Sequence, residues 1–224
     1  MARLVAIWDR AKAALTIARE DGREDHVLWE QSARIATTAG ELCKLREVEA
    51  MRPDEVAVAA ASLFHNAAWA LYVNDELVDP GNVLLLAVRD DHFQKSATEM
   101  MQQLESMLSP ESLRRARDAI MALQSRELDT PEALVVSDAL QLEEFGLSSL
   151  WSTIRRGSLE AQTIKSVIER WRRRAEYHYW TARLDESFHF DTVRQLARKR
   201  LERLGRVIDE LEAEQSCRDL WTDH

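Results

Sequence analysis

The sequence predicts an all-α fold, a single-domain helical bundle covering residues 1–224. Only 6 glycines and 4 prolines occur in 224 residues, which leaves little turn chemistry for the hairpins of a β-protein. Apolar residues recur at three- and four-residue spacing along almost the whole chain, as in amphipathic helices. A composition of 46% hydrophobic and 31% charged residues is that of an ordinary globular protein, and it excludes a disordered tail or a fibrous repeat.

The first two predicted helices are separated by a turn. An apolar stripe over residues 4–18 predicts the first helix, and Asp21 and Gly22 end it. The second helix is predicted from about Val27 to Leu45. Gln31 falls on the same inward face as the apolar residues of that helix, so this amide is expected to be buried.

An uncharged stretch over residues 56–74 is long enough to span a membrane. We reject a membrane span because seven of its residues are alanine and because Ser62, His65 and Asn66 lie at its centre. It predicts instead one buried central helix, Val56–Val73. The polar side chains in its middle then need partners, since an unsatisfied buried polar group costs about 1–3 kcal/mol.

Caps, prolines and periodicity predict the remaining helices. These are expected at about residues 90–108, from Pro110 onward, and at about 131–145, 160–182 and 188–215. In the helix after Pro131, Asp138 lies on a face that is otherwise apolar. It is therefore a third polar residue expected in the core.

Cysteine usage and charge give broader indications. Cys43 and Cys217 stand alone without a CxxC spacing or a secretory signal, which predicts reduced thiols in a cytoplasmic protein. The net charge is −11 for residues 1–150, +7 for 151–206 and −5 for 207–224. The chain is thus acidic except for one basic region near its end.

A His-Asn pair inside an alanine-rich buried helix, together with an Asp on a later inward face, suggests a metal or phosphate pocket inside a helical bundle. The segment Ala59-Ala60-Ala61-Ser62-Leu63-Phe64-His65-Asn66 resembles the helix ending in His-Asp that names the HD superfamily of metal-dependent phosphohydrolases. The segment from Ser137-Asp138-Ala139 to Gly146 is similar to the last motif of that family, and residues 190–212 resemble the tail of one subgroup. The resemblance implies an HD-like core over about residues 20–150, with C-terminal helices at about 158–216 packing on it.

Members of this family bind one or two divalent metals through a first His, the His-Asp pair and the late Asp. Many of them hydrolyse phosphate esters or nucleotides, because the metal activates water and neutralises phosphoryl charge. In this chain Gln31 stands in place of the first His, Asn66 in place of the Asp of the pair, and Gln124 in place of an additional His. Of the ligands that the resemblance implies, His65 and Asp138 remain.

Amide oxygens bind divalent transition metals more weakly than imidazole or carboxylate groups do. We therefore expect a degenerate site with no cofactor or only a weakly bound divalent metal. The expected function is a non-catalytic ligand-binding or regulatory module. The alternative is an active metal-dependent phosphohydrolase that holds its metal with His65, Asp138 and His26 and clamps phosphate with an arginine.

Simpler interpretations accompany these candidate residues. For His65 the simpler interpretation is a core histidine bonded to Asp138 or Asn66, and His26 lies among acidic residues typical of an exposed loop. The Asp90-Asp91-His92 cluster is typical of a solvated helix N-terminus.

The basic region over residues 155–206 contains several aromatic residues, which suggests a nucleic-acid or protein scaffold as a further alternative. The helical spacing of Trp171, Ala175 and Tyr179 instead predicts that they belong to the core. Nucleic acid and membranes are therefore not expected as partners. The expected partners are a small phosphorylated ligand and a second copy of the chain.

Overall fold

The computed structural model describes residues 2–19, 21–125 and 128–221. The helices are α1 (Ala2–Leu15), α2 (Val27–Leu42), α3 (Arg46–Glu49), α4 (Glu55–Phe64), α5 (Ala68–Asn74), α6 (His92–Leu104), α7 (Pro110–Ser125), α8 (Pro131–Glu144), α9 (Leu147–Leu159), α10 (Ile164–Glu176), α11 (Tyr179–Ser187) and α12 (Asp191–Gln215). Two short antiparallel strands, β1 (Ile17–Ala18) and β2 (Glu24–Asp25), pair around the first turn. With 74% of the chain helical, the all-α prediction is confirmed.

The chain divides into two compact units, Met1–Ala139 and Leu140–His224, with the boundary inside α8. In the first unit α4 is central, and it packs against α1, α2, α6 and α7. Nearly all of α4 is buried, as its alanine-rich sequence predicts. His65 and Asn66 directly follow the last residue of this helix.

The predicted continuous helix Val56–Val73 is wrong in one respect, because it is interrupted at residues 65–67. The backbone N–H of Ala68 donates to Ser96 Oγ at 3.0 Å instead of to the carbonyl four residues earlier. The stretch Glu55–Asn74 is apolar and long enough to cross a membrane, but 72% of its most apolar window is buried. That burial is typical of the core helix of a soluble protein.

The start of α4 is fixed by a network of side chains. Asp54 caps the helix by accepting hydrogen bonds from the N–H groups of Val56 and Ala57, at 3.0 and 3.1 Å. The backbone N–H of Asp54 donates to Glu132 Oε1 at 2.8 Å, and Arg115 pairs with the same carboxylate at 3.2 Å. Three helices, α4, α7 and α8, therefore meet at one buried carboxylate.

The second unit contains α9–α12, and it corrects two predictions. The helix predicted over residues 160–182 is broken into α10 and α11 at His178, whose φ is 55°. The break shifts the helical phase of Tyr179 relative to Trp171. Both Tyr179 and Ala175, which precedes the break, are exposed although their spacing predicted core positions. Trp171 is half-buried and packs on Gly205, where an added Cβ would lie 3.5 Å from its ring.

Candidate functional site

Three polar side chains form a hydrogen-bonded chain in the first unit, which we call the amide network: Gln31, Asn66 and His92. Asn66 Nδ2 donates to Gln31 Oε1 at 3.2 Å, and His92 Nε2 donates to Asn66 Oδ1 at 3.1 Å. An amide oxygen only accepts, so His92 carries its proton on Nε2. The network joins α2, the break after α4, and the first residue of α6.

His65 lies beside this network in sequence and is 2% exposed. Its Nδ1 donates to the Ser62 carbonyl at 2.7 Å, whereas sequence reasoning had expected a bond to Asn66 or Asp138. Its Nε2 is buried and has no hydrogen-bond partner among the described residues. Burial lowers the pKa of His65 to about 4, so its ring is neutral at pH 7 and Nε2 presents a lone pair.

His92 is fully buried, so its interpretation as part of a solvated helix N-terminus is wrong. The rings of Trp69 and Tyr72 pack against it, with centroids 5.5 and 6.1 Å away. Burial lowers the pKa of His92 to about 4, against the opposing effect of the Asp91 carboxylate. The sequence holds a signal for this burial, because His92 opens the four-residue stripe that continues through Ser96 and Met100.

A second hydrogen bond holds the start of α6 in place. The Tyr72 hydroxyl donates to Asp91 Oδ1 at 2.6 Å, which lowers the pKa of that carboxyl, and burial raises the pKa of Tyr72. Arg89 and Lys95 lie over the Tyr72 ring, with 5.2 and 4.8 Å between each cation and the ring centroid. These contacts position the residue next to His92, and hence the imidazole within the amide network.

The other candidate residues have different environments. Gln124 is exposed and donates to the Asp90 carbonyl at 3.0 Å, so its described hydrogen bond lies outside the amide network. His26 is partly exposed and contacts Glu24 and Thr16, each at 3.4 Å. Asp138 is fully buried on α8. The structure therefore joins Gln31 to Asn66, and adds His92, which sequence reasoning missed.

The donor set does not fit a divalent metal centre of the kind that the resemblance implies. Such a centre needs several strong ligands, and no group of three or more His, Cys, Asp or Glu suited to a metal occurs among residues 2–19, 21–125 and 128–221. The amide oxygens of Gln31 and Asn66 could contact a cation, but each already accepts a hydrogen bond within the network. Two buried imidazole nitrogens have no hydrogen-bond partner among the described residues and present a lone pair, Nε2 of His65 and Nδ1 of His92.

Comparisons with known proteins add evidence on the fold. No protein-family model and no curated protein matches the chain. The crystal structure of Bacillus subtilis YpgQ in complex with ADP is 18% identical, with a TM-score of 0.57 over 94% of this chain and 97% of that one. The selenomethionine form of YpgQ is 19% identical, with a TM-score of 0.59 over 95% of this chain and 96% of that one. At this level of identity, the similarity establishes that the chain shares the fold of these solved structures over nearly its whole length.

Proposed function

We propose that this protein is a non-catalytic ligand-binding or regulatory module, similar to the HD superfamily but with a degenerate metal site. The amide network carries the proposal. Gln31 and Asn66 stand where the resemblance places two metal ligands, and they bond to each other and to His92 without an ion. Because these polar groups already hydrogen-bond to one another, a metal would have to break those bonds before it could bind the groups. The net free energy of metal binding is therefore less favourable.

The ligand that we propose is a small phosphorylated molecule of the nucleoside diphosphate class. The support is the YpgQ structure, which shares the fold and was crystallised with ADP. In this chain His65 Nε2 would accept a hydrogen bond from a hydroxyl or amino group of such a ligand, because it is neutral and has no partner among the described residues. A cytoplasmic location remains our prediction from the two cysteines.

Calorimetric titration with ADP in the presence of a chelator tests this function. We expect binding that the chelator leaves unchanged and no release of product when manganese is supplied. The variant His65→Gln should weaken binding, and His26→Gln, at a partly exposed histidine, should leave it intact. Turnover of ADP or of another phosphate ester that the chelator abolishes would overturn the proposal.

The alternative function is a metal-dependent phosphohydrolase that holds its metal through His65, Asp138 and His26. The free lone pair of His65 Nε2 favours it, since a metal-ligating imidazole carries its proton on the other nitrogen, as His65 does toward Ser62. An enzyme of this kind would lose both activity and bound metal in Asp138→Ala. A non-catalytic module without a metal would show neither activity nor bound metal even before the substitution.

A further inference from the structure

A groove lies on the first unit between α6 and α7. Its volume is about 460 Å³, within the range of about 300–1,000 Å³ that is typical of small-molecule sites. Every residue that lines it belongs to one of these two helices, four to α6 and three to α7. The groove is therefore formed entirely within one compact unit.

Three of the lining side chains are apolar. Ala97 is buried, and Met101 on α6 and Met121 on α7 are partly buried. Methionine is unbranched and flexible, so its thioether adapts to the shape of an apolar group placed against it. These surfaces fit an aliphatic chain or a ring.

The polar side chains on α7 carry an excess of positive charge. Arg114 Nη1 donates to Asp118 Oδ2 at 3.0 Å, and Arg117 donates to Asp118 Oδ1 from Nε at 3.0 Å and from Nη2 at 2.7 Å. Two guanidinium groups thus share one carboxylate, which leaves this cluster with a net charge of +1. Arg117 lines the groove, and its Nη1 has no hydrogen-bond partner among the described residues.

The length of the groove favours a small molecule over a docked helix. Its lining on α6 runs from Gln94 to Met101, which is about 10 Å at about 1.5 Å per residue. A peptide helix of the usual three to four turns is about 16–22 Å long, and it would extend well beyond these contacts.

We propose that this groove binds a small anionic amphiphile of the medium-chain carboxylate class. The aliphatic chain would lie against Ala97, Met101 and Met121, and the carboxylate would accept hydrogen bonds from Arg117, whose planar donors suit that group. The single excess positive charge matches a monoanion. A nucleoside diphosphate carries several negative charges and has little apolar surface, so this site differs from the one assigned to the phosphorylated ligand.

Titration with octanoate, followed by NMR of protein labelled at its methionine methyl groups, tests the site directly. We expect the resonances of Met101 and Met121 to shift in a saturable way, with a dissociation constant of about 1 mM or tighter, as suits a ligand of this size. Met51, which is 40% exposed and lies outside the groove, is the internal control and should not shift.

A bulky substitution tests whether the groove itself is the site. Thr98 lines the groove at an exposed position of α6, so Thr98→Trp should fill it and abolish binding. Thr37→Trp is the matched control, because Thr37 is also exposed on a helix and its hydroxyl likewise donates to the carbonyl four residues earlier.

A change of charge tests the head group. Arg117→Gln should weaken octanoate binding by about tenfold, the usual effect of losing a hydrogen bond to a charged group, and should leave the binding of neutral octanol unchanged. Arg10→Gln removes an exposed arginine from α1 and should leave both affinities as they are.

Circular dichroism first establishes that each variant is folded. Absence of methyl shifts at about 10 mM octanoate, or equal shifts at Met51, would overturn the proposal. Unchanged binding in Thr98→Trp would also overturn it, as would octanol that binds the native protein as tightly as octanoate does. Binding should persist in His65→Gln, and its loss there would assign the octanoate to the phosphorylated-ligand site and contradict a separate groove.

Discussion

Asn66 is the residue on which the amide network depends, because it both donates to Gln31 and accepts from His92. In the resemblance to the HD superfamily this position belongs to a carboxylate. A carboxylate could accept from His92 but could not donate to Gln31. The amide therefore suits a site held together by hydrogen bonds and not by a cation.

We predict that Asn66→Ala destabilises the protein by about 1–3 kcal/mol, the usual cost of leaving buried polar groups without partners. The change removes the partners of both Gln31 Oε1 and His92 Nε2. Urea unfolding measures the loss, and Asn74→Ala, at an exposed position at the end of α5, is the matched control. Equal stability of the two variants would show that the network contributes nothing to folding.

Acid should destabilise the protein through its two buried histidines. In the unfolded chain a histidine titrates near pH 6.5, whereas the pKa values of His65 and His92 are about 4 in the folded chain. Between these values the unfolded state binds more protons, so the free energy of unfolding falls as pH drops from about 7 to about 4, by up to about 3 kcal/mol per histidine.

Chemical unfolding at a series of pH values measures this dependence. His65→Gln has no imidazole to charge at that position, so it should lose roughly half of the pH dependence. His26→Gln should keep all of it. A free energy of unfolding that stays constant over this pH range would contradict the burial of the two imidazoles.

At the scale of single residues, the sequence predicted which polar side chains are buried better than it predicted their hydrogen-bond partners. The inward positions of Gln31, His65 and Asp138 follow from helical periodicity, and the structure buries His65 and Asp138 and half-buries Gln31. The link between Asn66 and His92 joins residues 26 apart in the chain. Periodicity within one helix cannot predict a contact with another helix, so the place of His92 in the amide network was not predicted from the sequence.

At the scale of elements, Glu132 fixes the position of α4. Its carboxylate is almost wholly buried and serves both the N–H of Asp54 and the guanidinium of Arg115. Because Asp54 is also the N-cap of α4, Glu132 ties the start of the central helix to α7 and α8. The far end of the same helix leads directly into the amide network.

We predict that Glu132→Ala destabilises the protein by about 1–3 kcal/mol, since it leaves the part-buried N–H of Asp54 without this partner, whereas the partly exposed Arg115 keeps its pair with Glu111. Glu132→Gln should cost less, because its amide oxygen still accepts from Asp54. Glu111→Ala is the matched control, since Glu111 pairs with the same arginine from an exposed position. Thermal and urea unfolding of the three variants measure these differences. An equal loss in the free energy of unfolding for Glu111→Ala and Glu132→Ala would contradict the account.

Helix starts were predicted better than helix interruptions. Asp54, Pro110 and Pro131 carry local signals that place the starts of α4, α7 and α8 close to where they occur. The break after His65 contains neither Gly nor Pro, and it depends on a bond from Ala68 to Ser96 on another helix. The break at His178 places a non-glycine residue at positive φ, which no local pattern indicates.

At the scale of the whole molecule, composition and periodicity predicted an all-α fold, and the structure and its similarity to YpgQ over nearly the full chain agree with it. The basic stretch over residues 155–206 lies wholly within the second compact unit, where acidic residues on either side of it bring the net charge of residues 140–224 to zero. The first unit contains the amide network.

The metal content of the purified, tag-free protein tests the degenerate site most directly. Elemental mass spectrometry would follow incubation with manganese, zinc or iron and extensive dialysis. We predict far less than one retained metal per chain, and a gain to about one per chain when Gln31→His and Asn66→Asp together restore the ligand types that hold such ions. Near-stoichiometric metal in the native protein, lost in Asp138→Ala, would contradict the account.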